Sequence, residues 1–100
     1  MILAISSQGL LALREIDDLK RFDIHTEHGS PMGCEAFRRI ASPTDEAGHY
    51  WLGADAIIRM SGRQDDAGWV SSFWAMLRKV EAFGYSDLEG RRVKAHVVAG

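Results

Sequence analysis

The sequence predicts a small single-domain α+β fold, with one antiparallel or mixed sheet of three to four strands packed against helices. A long C-terminal helix followed by a final strand completes the expectation. Three observations support it. Residues 66–83 carry an amphipathic helical pattern, while residues 22–27 and 92–98 alternate apolar and polar side chains, as half-buried strands do. A chain of 100 residues is also the size of one domain with one core, so 1–100 is read as a single globular unit.

Taken in order, residues 2–5 form a short apolar run suited to a buried strand, broken by Ser6-Ser7-Gln8-Gly9. Over residues 10–22, Leu11, Ala12, Ile16, Leu19 and Phe22 share a broad helical face. Ser7 is placed to cap that helix by accepting an orphan backbone N–H. The rival reading is a hairpin, with residues 6–9 as its turn and 10–13 as its second strand. Helix is preferred because Leu, Ala, Arg, Glu and Lys dominate and the polar face is contiguous.

Residues 22–27 follow as a short strand, and residues 28–31 as a loop. Pro31 suits the first position of a helix through Ile40 that gathers Cys34, Phe37 and Ile40 on one side. Residues 42–48 read as loop and 49–52 as strand. Asp55 can cap a short helix bearing Ile57, Ile58 and Met60, which Gly62 ends.

In the long helix, Trp69, Phe73, Met76, Val80 and Phe83 fall within about 80° of one another. Trp74, Val70 and Leu77 lie off that arc and widen the apolar surface. After a turn at 86–90 comes the last strand, with Arg92, Lys94 and His96 on one face and Val93, Ala95 and Val97 on the other. Residues 2–5 are expected to lie beside this strand, joining the ends of the domain.

Composition narrows the function. Apolar content is 46% and charged content 26%, which is ordinary for a globular chain rather than a disordered one. A net charge of −2 argues against a dedicated nucleic-acid binder, so no nucleic-acid partner is expected. No stretch is long and apolar enough to span a bilayer, and no membrane partner is expected. The single cysteine rules out an internal disulfide, and a cytoplasmic location is the natural expectation. There is no G-x-G-x-x-G and no Walker A pattern, so no cofactor is expected.

Three groups of residues are candidates for function. Tyr50, Trp74, Leu77 and Tyr85 could line an interface or ligand surface, because large aromatics dominate binding hot spots. Arg92, Lys94 and His96 form a basic row that could hold an anion such as a phosphate or carboxylate. The plainer reading of that row is a solvated outer face, balanced by acids such as Asp23 and Glu27. His25, His28 and Cys34, with Glu27 between, are metal-compatible, although zinc needs three or four converging ligands. No serine sits in a catalytic motif, and Asp17-Asp18 and Asp65-Asp66 fit helix surfaces and caps better than acid–base pairs.

These observations favour a small binding or assembly protein that self-associates through an aromatic surface, as a homo-oligomer or with a protein partner. The alternative is a small enzyme or metal-binding protein using the His25/Glu27/His28 cluster with Cys34 or His96.

Overall fold

The computed structural model describes residues 1–27 and 29–98. Seven strands and three α-helices follow the order β1 (Ile2–Ile5), β2 (Leu11–Arg14), β3 (Asp23–Thr26), α1 (Glu35–Arg38), β4 (Ala41–Pro43), β5 (His49–Gly53), α2 (Ala54–Ser61), α3 (Ala67–Glu81), β6 (Ser86–Asp87) and β7 (Arg92–Val97). All seven strands belong to one mixed sheet, against the three or four expected. Its order is β2-β1-β3-β7-β5-β4, with β6 also paired to β7. The α+β class stands, as does a long helix leading to a final strand. A parallel β3 lies between β1 and β7, so the expected pairing of residues 2–5 with the last strand is replaced.

The largest correction concerns residues 10–22, where the hairpin replaces the helix. Ser6 makes the turn: its hydroxyl accepts from the N–H groups of Gln8 at 3.2 Å and Leu10 at 3.1 Å. Gly9 adopts φ 80°, a left-handed conformation that glycine reaches without steric cost. Leu11 and Leu13 then pack toward the core while Ala12 and Arg14 face solvent, the period of two that a strand imposes. Helix propensity is worth tenths of a kcal/mol per residue, and a closed turn with cross-strand pairing outweighs it. Beyond β2, Trp69 pins the connection by donating its indole N–H to the Ile16 carbonyl at 3.3 Å.

The expected helix over residues 30–40 is shorter than its pattern. Pro31–Gly33 forms a single 3₁₀ turn, Cys34 is extended (φ −96°, ψ 119°), and α1 occupies only Glu35–Arg38. Phe37 nevertheless reaches the core as expected. Residues 41–43, partly assigned to a loop, form edge strand β4, where Pro43 withholds an N–H that no neighbour requires.

Helix α3 is capped by Asp66, whose carboxylate accepts from the Trp69 N–H at 3.0 Å. Its inward face is rotated from the expected arc. Trp69, Phe73 and Leu77 are buried, Met76 and Val80 are half-buried, and Phe83 lies past the helix end with 73% of its surface exposed. The helix stops at Glu81, and Tyr85 donates its N–H to the Val80 carbonyl at 3.2 Å, so residue 83 never reaches the sheet.

All three helices feed the same side of the sheet. Phe37, Ile57, Phe73 and Leu77 form one core cluster with Leu3, Ile5, Ile24, Leu52, Val93 and Ala95. The opposite sheet face carries His25, Asp23, His96, His49, Lys94, Trp51 and Arg92, as the register and the alternation of side chains require. The residue pairing thus divides the sheet into a dry side and a polar, partly aromatic side. Among the described residues no helix is long and apolar enough to cross a membrane.

Candidate functional site

Strand β7 organises the site because it changes partner along one edge. On one side it pairs with β5 throughout, from Gly53↔Arg92 to His49↔His96. On the other it pairs first with β6, at Ser86↔Val93, and then with β3, at Asp23↔His96 and Ile24↔Val97. Lys94 and Ala95 lie at the handover, where the Lys94 N–H donates to the Tyr85 carbonyl at 2.8 Å. A cleft of about 360 Å³ opens there. That volume is at the lower end of the range that small-molecule sites occupy.

The walls of the cleft differ in chemistry. Met76 and Val80, one turn apart on α3, combine with Leu19 and Phe22 to form an apolar wall. Lys20, Arg21, Lys94, His49 and His96 bring basic groups, and Tyr85, 54% exposed, stands at the lip. Asp23 is the acid among these lining residues.

Asp23 is 5% exposed, so its carboxylate has to be partnered. Arg21 chelates one oxygen through two N–H groups, with Nε at 2.8 Å. Its other oxygen stands 3.5 Å from His96 Nδ1. The same carboxylate pushes the Arg21 guanidinium pKa above its ordinary value, chiefly through this hydrogen bonding. His96 in turn stacks on His49, with ring centroids 5.5 Å apart and planes 25° from parallel. The register produces this row: Asp23, His96 and His49 occupy directly paired positions on three adjacent strands.

The basic row Arg92, Lys94 and His96 shares one face, with the acids dispersed around it. Lys94 Nζ is 3.2 Å from Glu46 and 5.2 Å from the Trp51 ring. Arg92 lies over the same ring at 4.4 Å and bonds Asp87 at 3.0 Å. Asp23 lies beside His96 on the neighbouring strand, whereas Glu27 is exposed beyond the end of β3. Lys94 and His96 line the cleft, and Arg92 stands outside it.

The four aromatic-surface candidates do not form one patch. Leu77 is fully buried in the core, which removes it from any surface. Trp74 is half-buried, edge-on to Phe73 at 6.0 Å, and covered by the Arg91 guanidinium at 4.6 Å. Asp55 holds Arg91 there through bonds of 2.7 and 2.8 Å. Tyr50 packs edge-on against Phe37 at 5.3 Å. Tyr85 alone of the four reaches the cleft.

Of the metal-compatible residues, His28 lies outside the described residues. Cys34 is buried and donates its thiol to the Gly9 carbonyl at 3.3 Å, on the far side of the hairpin turn. His25 sits in β3 with its Nε2 buried and without a hydrogen-bond partner among the described residues. No group of three or more metal-ligating side chains converges among the described residues.

Sequence reasoning missed Lys20, Arg21, His49, Met76 and Val80 as neighbours. Only strand register joins Asp23 to His96 and His49, and alternation along a single strand carries no information about which strand lies beside it. No family model, curated protein or solved structure matches this chain.

Proposed function

We propose that this protein is a small-molecule binding module whose ligand occupies the cleft beside β7. The observation that carries the reading is that an apolar helix wall and several basic groups line the same cleft, at the place where the sheet changes partner. Ligand sites favour such openings, since an apolar surround with a few fixed polar groups gives both affinity and orientation. Among the described residues the lining holds no serine, threonine or cysteine, and the reading is kept to binding.

A ligand-observed NMR screen of small charged and neutral fragments tests this, repeated on Val80→Trp. Val80 is half-buried on the cleft wall, so the larger ring fills the opening while leaving the core intact. Fragments that bind the native chain should be lost in the variant, with its circular dichroism unchanged. Hits that persist in Val80→Trp, or an empty screen, would overturn the reading.

A second reading, self-association, is favoured by the exposure of Phe83 beside Tyr85 at the end of α3. It expects a concentration-dependent oligomer by sedimentation that Phe83→Ser abolishes, with Trp74→Ala having less effect because Arg91 covers that ring.

A further inference from the structure

We infer that the cleft selects an organic monoanion, a carboxylate on an apolar body. The inference rests on the cleft being the ligand site. Three lining cations, Lys20, Arg21 and Lys94, face one lining carboxylate, Asp23, and Glu46 neutralises Lys94 from outside the lining. Because Arg21 is occupied by Asp23, the surplus is about one positive charge, carried by Lys20, which has no ionic partner among the described residues. One negative charge on the ligand matches it. Met76 and Val80 offer the body an apolar seat without any hydrogen-bonding group.

Heteronuclear NMR titration of the full chain with phenylbutyrate and with phenylbutanol, which share an apolar frame, tests the charge requirement. Phenylbutyrate should shift the amides of Met76, Val80, Lys94 and His96 and bind about tenfold more tightly than the alcohol. Equal affinity for acid and alcohol at these residues would overturn the inference while leaving the binding module standing. Failure of the acid to bind, while neutral fragments are displaced by Val80→Trp, would also overturn the inference alone. An empty fragment screen would overturn both.

Discussion

Leu77→Ala separates a core role from a surface role for a residue in the second half of α3. Leu77 has none of its surface exposed and lies in the cluster formed by Phe73, Leu52 and Val93. Truncation removes three carbon atoms, each worth about 0.8 kcal/mol in transfer from water, and leaves a cavity that the fixed sheet cannot fully close. The expected cost is about 3–4 kcal/mol, a large part of the roughly 5–15 kcal/mol that holds a domain together. At about 4–8 °C per kcal/mol for a chain of this size, the melting temperature should fall by about 12–30 °C. Guanidinium denaturation followed by circular dichroism and tryptophan fluorescence measures the cost, with the exposed Phe83→Ser as control, for which a change within about 0.5 kcal/mol is expected. A loss below about 1 kcal/mol would refute the placement in a packed core. So would a loss that grows as the protein is diluted, which would place Leu77 at an interface between copies instead.

Asp66→Ala removes the acceptor for the Trp69 N–H and should cost about 1 kcal/mol by the same denaturation assay, with Asp66→Asn recovering most of it. Acid should weaken the fold through Asp55 and Asp87. The Asp55 carboxyl is held below its ordinary pKa chiefly by its hydrogen bond from Arg91, and that of Asp87 chiefly by the Gly90 backbone N–H and then by Arg92. A depressed carboxyl adds stability above its unfolded value, near 3.8, and loses it as the pH falls through the lower folded value. Thermal midpoints should therefore decline below about pH 4, and less steeply in Asp55→Asn.

What could be read from the sequence follows from how local each signal is. The cap at Asp66, the stop at Gly62 and the alternation of Val93 and Ala95 with Lys94 and His96 are short-range patterns, and the structure contains them. Leu10 to Phe22 misled because Leu, Ala, Arg and Glu favour a helix, and the decisive contacts lie elsewhere: Ser6 closing the turn, and Trp69 reaching Ile16. β4 and β6 are too short for a period to register, at three and two residues. The cleft was hidden for a different reason. Lys94 and His96 were recognised as basic groups on one face, but the wall that turns them into a site comes from Met76, Val80 and the 19–22 segment, which only the tertiary fold brings near.

The position of β7 also bears on how the molecule assembles. It is the last strand along the chain to form, yet it lies in the middle of the sheet, joining β1, β2 and β3 on one side to β4 and β5 on the other. Neither group has a sheet neighbour from the other until residues 92–97 arrive, so each is left with an open edge during synthesis. Closing the sheet requires loops that span most of the chain, a topology that folds slowly for its size. A growing polypeptide of this kind keeps both edges unpaired until residues 92–97 are made, the interval in which edge-to-edge association is most open to it.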